Sequence, residues 1–230
     1  ILFLTDPYPN FVPDLLLHGL RELLGTDVVD FPKKMSLYEG RMTGVTLPDD
    51  HDPLLKDESI DRTEISLKLK NNFFDYVVAD IRALANAFQI SATIPKNLAL
   101  IDGEDVAANI PSGPYKIFCR EVSEKSVVNH AIPLPMALPQ SMFERILKLR
   151  HTPKRYSIGF LGSTSLSTPS RIHYIDQLKK IYPDGLFTLT PTPSEQLPRP
   201  HGRLELSAYY EALQSCKVVL SFRGAGSDTF

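Results

Sequence analysis

Apolar residues in the first half of the chain come in short runs broken by polar turns. Ile1 to Leu4 reads as a strand. After the turn from Asp6 to Asn10 the pattern becomes helical, with Pro13 suited to a first helical turn. Leu16, Leu20, Leu23 and Leu24 form the stripe expected to face a core, and Gly25 ends the helix. Residues 27–31 read as a second strand, and 32–60, rich in proline and charge, as an excursion outside the core. A helix over 64–71, a strand over 74–79 and a short helix over 82–88 follow. The run Leu98 to Ile101 is a strand that enters the polar turn Asp102-Gly103-Glu104-Asp105. Residues 115–120 fit a strand or a short helix, and the proline-spaced stretch 132–139 fits an edge strand or an extended crossover.

Residues 140–155 read as a helix or linker, after which the alternation resumes. A strand over 156–161 meets the small-residue turn Gly162-Ser163-Thr164, and a helix spans 170–182 with Ile172, Ile175, Leu178 and Ile181 as its stripe. Strand 186–190, loop 191–202, helix 206–214 and strand 217–222 complete the pattern. Alternating strands and helices predict mostly parallel sheets covered by helices. A strand, a small-residue turn and a helix also direct unpaired backbone N–H groups at an anion such as phosphate.

Composition narrows the class. The chain has 230 residues, 43% hydrophobic and 23% charged, as in ordinary globular proteins. Its formal net charge of −2 gives no electrostatic case for nucleic acid. No apolar run reaches membrane-spanning length, and no basic, apolar leader occurs, so a cytoplasmic location is expected. The two cysteines, Cys119 and Cys216, fit a reducing compartment, and a disulfide between them would join the two halves. The strand-like start and the glycine-rich end predict a piece of a longer protein.

Four segments together resemble the two-domain GT-B glycosyltransferases, most closely the branch with spore-maturation-type and exostosin-like domains. They are Asp14 to Asp30, Leu100 to Asp105 followed by Tyr115 to Glu121, Tyr156 to Arg171, and Tyr209 to Ser221 with Arg223 to Thr229. The resemblance implies an α/β fold of two Rossmann-like domains, an acceptor-side domain over 1–150 and an incomplete donor-side domain over 151–230. It implies transfer of a sugar from a nucleoside-diphosphate sugar, without a metal or resident cofactor, to a hydroxyl of a saccharide, lipid or protein acceptor. The acidic residue by which such enzymes hold the donor, soon after a glycine-rich loop, would fall beyond Phe230.

Within that frame, Gly162, Ser163, Thr164 and Arg171 are the first candidates for the donor diphosphate, through backbone and hydroxyl donors and a charge-assisted contact. Their bland alternative is a tight turn with a solvated arginine. Arg223, Gly224, Gly226 and Ser227 form a second anion-friendly loop, or else a surface turn; no Gly-Lys-Ser/Thr follows, so it is not a Walker A loop. Asp102 and Glu104 are candidates for a general base or for positioning the acceptor, or they form a cap or solvated turn. Asp102 and Asp105 together suggest the alternative of a metal-dependent GT-A-like transferase. His18, expected opposite the leucine stripe and near the Asp6–Asn10 loop, is either a general base or structural. Lys116 and Arg120 either face a ligand or pair with Glu121 and Glu124. A further alternative is a non-catalytic nucleotide- or carbohydrate-binding protein of the same fold.

Overall fold

The computed structural model describes residues 1–8, 10–38, 41–42, 45–46, 55–56, 59–84, 95, 97–104, 110, 113–120, 130–135, 137–164, 169–191 and 206–220. The chain divides into two compact units, Ile1–Pro139 and Gln140–Phe230. The helix after Pro139 therefore belongs to the second unit.

The first unit is built on a six-stranded parallel sheet. Its strands are β1 (Leu2–Leu4), β2 (Val29–Phe31), β5 (Val77–Asp80), β6 (Leu98–Asp102), β7 (Lys116–Cys119) and β8 (Ile132–Pro133), in the order β2-β1-β5-β6-β7-β8. Residues 115–120 thus resolve as a strand. β8 lies at the sheet edge, where Pro133, which lacks a backbone donor, is tolerated. A small antiparallel pair, β3 (Arg41–Met42) and β4 (Val45–Thr46), lies apart from the sheet.

Because side chains alternate across a strand, both faces of the central strands are buried. Leu2, Leu4, Val77, Ala79, Leu98 and Leu100 enter one cluster together with Ile65 of α3 (Ile65–Lys70). Phe3 enters the other, with Leu17 of α1 (Phe11–Leu24) and with Leu37 and Tyr38 of α2 (Met35–Tyr38). Residues 32–60 are therefore not wholly outside the core: Lys34, Leu37, Tyr38 and Leu55 are all buried. Each fully buried Leu or Phe contributes on the order of 2 kcal/mol.

Helix α1 is rotated from the leucine-rich orientation. Its buried residues are Val12, Pro13, Asp14, Leu17, His18 and Arg21, whereas Leu23 is 81% exposed and Leu24 is 44% exposed. Positions 14, 17, 18 and 21 keep helical spacing, so the buried stripe exists but is partly polar. Two of its polar members find partners: Asp14 meets Lys34, and Arg21 donates to Gly25 O and Val28 O. Leu16 and Leu20 pack only at the margin of the core. Gly25 ends the helix at φ 57, a conformation glycine adopts without strain.

The second unit carries a three-stranded parallel sheet, order β10-β9-β11, from β9 (Tyr156–Thr164), β10 (Leu186–Pro191) and β11 (Cys216–Val219). Helices α4 (Gln140–Lys148), α5 (Pro169–Ile181) and α6 (Leu206–Gln214) accompany it. Ile158, Phe160, Leu161, Ile175 and Cys216 are buried here. Only the middle of the expected α5 stripe reaches the core: Ile175 is fully buried, while Ile172 and Ile181 are exposed. Both cysteines are free thiols in the interior. Parallel sheets with this helical traffic are compatible with a Rossmann-like α/β fold.

Candidate functional site

Both sheets begin the same way. In each, the first strand is flanked by the second on one side and by the third on the other: β2-β1-β5 and β10-β9-β11. That reversal of direction leaves a crevice outside the carboxyl ends of the strands, where open α/β sheets bind ligands. In the first unit it falls between β1 and β5.

The tips of the strands beside that crevice are tied together by polar side chains. Asp80 ends β5, and its Oδ1 accepts the backbone N–H of Arg82 at 3.0 Å. The Arg82 guanidinium donates through Nε to Glu104 Oε1. The same Glu104 oxygen accepts from Asn10 Nδ2 at 3.4 Å, at the start of α1. Asp102 ends β6 and accepts the Glu104 N–H at 3.0 Å through Oδ1, while its carbonyl accepts the Arg120 N–H at 2.9 Å. Gly103 between them lies against the Asn10 and Pro13 side chains. The chain Asp80–Arg82–Glu104–Asn10 thus joins β5, β6 and α1.

A second polar group lies around Lys34, whose side chain is almost wholly buried. Its ammonium donates to Asp14 Oδ1 at 2.8 Å and to the carbonyls of Asp6 and Tyr8 at 2.7 Å each. Its backbone N–H donates to Asp30 Oδ2 at 2.8 Å. Asp30 Oδ1 also accepts from Tyr38 at 2.9 Å and from Arg62 at 2.6 Å. Lysine here fixes the loop after β1.

Burial dominates the electrostatics. It pushes the Asp80 carboxyl up to about 6, against the Arg82 N–H and the charges of Lys34 and Arg82, with Asp6 adding to the rise. Burial also raises Asp14, outweighing the neighbouring ammonium. The hydrogen bond that Arg82 donates to Glu104 raises the Arg82 guanidinium above its ordinary value. The Cys119 thiol, beside Asp102 in the sheet, is pushed up to about 11, first by burial and then by the Asp102 charge.

Asp102 and Glu104 are therefore brought together, and His18 is not with them. It is 1% exposed on the buried stripe of α1, its Nε2 lies 3.6 Å from Glu22, and it falls about 12 Å along the helix from Asn10. The expectation that it lay opposite the buried stripe and beside the Asp6–Asn10 loop is corrected, because the stripe itself is rotated. Lys116 and Arg120 are also separated: Lys116 is exposed at the start of β7, and Arg120 follows its end.

In the second unit, Gly162-Ser163-Thr164 continue β9 instead of forming a turn. They pair with Leu189, Thr190 and Pro191 of β10, because that neighbour is long enough to extend the ladder. On the β11 side the described pairing ends at Gly159. Arg171 lies in the first turn of α5. Arg223, Gly224, Gly226, Ser227 and Asp105 lie outside the described residues.

Among the described residues no group of three or more His, Cys, Asp or Glu side chains could hold a metal ion. No helix among them is long and apolar enough to cross a membrane. Comparison with known proteins found no matching family model, no similar curated protein and no similar solved structure.

Sequence reasoning singled out Asp102 and Glu104 but passed over Asp80, Arg82, Lys34 and Asp30. A signal was present. Val28-Val29-Asp30, Val78-Ala79-Asp80 and Leu100-Ile101-Asp102 each set an aspartate at the end of an apolar run.

Proposed function

We propose that the chain belongs to a nucleotide-sugar-dependent glycosyltransferase of GT-B-like architecture, acting in the cytoplasm. The first unit is its acceptor-side Rossmann-like domain, and the second carries the donor side. One observation carries this reading: both sheets share the reversed strand order, and in the second unit that order sets Gly162-Ser163-Thr164 at the tip of the first strand, ahead of α5.

In the proposed reaction an acceptor hydroxyl of a saccharide, lipid or protein attacks the anomeric carbon of a nucleoside-diphosphate sugar. The new C–O bond forms as the bond from that carbon to the diphosphate oxygen breaks, and the hydroxyl proton passes to a carboxylate, Glu104 or Asp102. The diphosphate leaves with both electrons of the broken bond. Backbone and hydroxyl donors of Gly162, Ser163 and Thr164, with Arg171, Arg223, Gly224, Gly226 and Ser227, stabilise its charge without a metal.

A second reading, a non-catalytic nucleotide- or carbohydrate-binding protein, draws on the engagement of both carboxylates. Glu104 is held by Arg82 and Asn10, and Asp102 by the Glu104 N–H. The two are separated by incubating the protein with a panel of nucleoside-diphosphate sugars and measuring free nucleoside diphosphate. Release that depends on an acceptor supports transfer. A rise in Tm with nucleoside diphosphate, in the presence of a chelator but without release, supports binding alone. Absence of both removes the nucleotide from the reading, and a rise that needs Mn2+ favours the metal-dependent alternative.

A further inference from the structure

The formal net charge of −2 hides an uneven distribution. Residues 140–155 hold five Lys or Arg and one Glu, a net of +4, so the rest of the chain carries −6. That basic stretch is α4 and the segment that joins it to β9.

Helix α4 has two distinct faces. With successive residues turned by about 100°, Met142, Phe143, Ile146 and Leu147 fall on one side of the helix axis. Gln140, Ser141, Glu144, Arg145 and Lys148 fall on the other. Ile146 is half-buried, whereas Phe143 is 45% exposed and Leu147 is 42% exposed. Phe143 and Leu147 lie one turn apart, so they form a continuous apolar edge. Beyond Lys148 the chain tightens, with the Leu149 N–H donating to Ile146 O at 3.0 Å and the Arg150 N–H to Leu147 O at 3.1 Å. That second bond sets Arg150 one tight turn on from Leu147. Lys148, Arg150, Lys154 and Arg155 are all exposed. Arg150 Nε meets His151 Nε2 at 2.9 Å and the Lys154 ammonium meets Gln214 O at 2.5 Å, contacts that leave both charges standing.

We propose that α4 and residues 149–155 form a docking surface for an anionic lipid bilayer. The Phe143–Leu147 edge enters the headgroup layer, and Lys148, Arg150, Lys154 and Arg155 meet lipid phosphates. At nine residues the helix is about 13 Å long, too short to cross a bilayer but long enough to lie on one. Two features favour lipid over an acidic protein or a nucleic acid. A protein groove takes the whole apolar face of a helix, and here Ile146 is already half-buried, which leaves an edge. A bilayer asks only for that edge, since interfacial segments insert shallowly while their basic neighbours stay at the headgroups. An aliphatic leucine beside the phenylalanine also suits acyl chains better than stacked bases. The net −6 of the remaining chain is repelled by the same surface, which confines contact to this stretch. The inference does not rest on the transferase reading, because a peripheral attachment serves an enzyme or a binder equally.

The test floats the whole chain with vesicles of phosphatidylcholine, alone or mixed equally with phosphatidylglycerol. Binding is expected to the mixed vesicles only, and it should fade as salt rises. Lys148→Ala combined with Arg150→Ala should weaken it roughly twenty-fivefold, about fivefold for each basic residue. Leu147→Ser should weaken it roughly tenfold. Lys179→Ala combined with Lys180→Ala, at exposed positions of α5, should change it far less. The chain has no tryptophan, so Phe143→Trp supplies a unique reporter whose emission should shift to the blue on the mixed vesicles. Every altered side chain is exposed, so Tm should stay near that of the parent. Four outcomes overturn the proposal: no binding to the mixed vesicles, an α5 pair that costs as much as the α4 pair, an unshifted Trp emission, or tighter binding to poly-glutamate or an oligonucleotide. Nucleoside-diphosphate release is measured without vesicles on the same samples, so loss of the transferase reading is scored apart from loss of this one.

Discussion

Gly103 has no room for a side chain because Asn10 stands against it. A Cβ at position 103 would approach Asn10 Oδ1 to 2.4 Å and Pro13 Cδ to 2.9 Å. Pro13 is a ring within α1 and cannot swing away, so the start of the helix must shift. Gly103→Ala should cost about 1–3 kcal/mol in denaturant unfolding and should break the Asn10–Glu104 hydrogen bond. An unchanged midpoint would mean that the helix start yields freely.

Asp30 is fully buried and receives three donors, from Tyr38, Arg62 and the Lys34 backbone. Removing the carboxylate strands all three at once. Asp30→Ala is expected to destabilise by about 3–5 kcal/mol, while Tyr38→Phe should cost about 1 kcal/mol. Comparing the two by urea denaturation checks whether Asp30 is the hub of the group.

The Asp80 carboxyl is held near 6 in the folded chain, against about 3.9 when unfolded. Between those values the folded state keeps a proton that the unfolded state has released. Stability should therefore be greatest below about pH 4 as far as this group is concerned. It should fall as pH rises to about 6 and then level off, a loss on the order of 3 kcal/mol. Asp80→Asn keeps an acceptor for the Arg82 N–H and removes the titration. Its Tm relative to the parent should rise between pH 4.5 and 7.5, and a constant difference would contradict the assignment.

Gly159 of β9 faces Cys216 of β11 so closely that a Cβ would sit 2.3 Å from its Sγ. Gly159→Ala should lose about 1–3 kcal/mol by overpacking. Adding Cys216→Ala removes the obstructing sulfur, so the double variant should be more stable than the sum of the single effects allows. A double-mutant cycle measured by thermal unfolding reports the coupling directly.

If Glu104 accepts the proton of the acceptor, Glu104→Gln should lower acceptor-dependent nucleoside-diphosphate release by roughly a hundredfold or more. Donor affinity should stay near that of the parent. Arg171→Ala should do the opposite, weakening nucleotide affinity in a calorimetric titration. Equal effects of both variants on affinity would take the proton-transfer role from Glu104.

The strand and helix alternation was legible because each strand is a compact apolar run closed by polar or small residues. Leu98 to Asp102 shows this, and the bounds of Leu206–Gln214 were readable to the residue. The orientation of α1 was not, because leucine density points to Leu23 and Leu24 while the buried face is chosen by contacts distant in sequence. Lys34 lies twenty residues beyond Asp14, and no local periodicity reveals their pairing. Likewise Gly162 to Thr164 look like a turn by residue type, yet β10 supplies a ladder that keeps them extended. At the site, Asp102 and Glu104 could be found from one acidic cluster. Arg82 could not, since its link to Glu104 depends on β5 and β6 being neighbours in the sheet.

The polar stripe of α1 has a consequence for how this helix tolerates change. Its azimuth is locked by two electrostatic pins, one at Asp14 and one at Arg21, with Leu17 as the greasy pivot between them. Swapping the pins for aliphatic residues would enlarge the oily surface while erasing the cue that tells the cylinder which way to roll. A repacked version that gained cohesion could then settle with its leucines inward and carry Asn10 off the neighbouring strand tip.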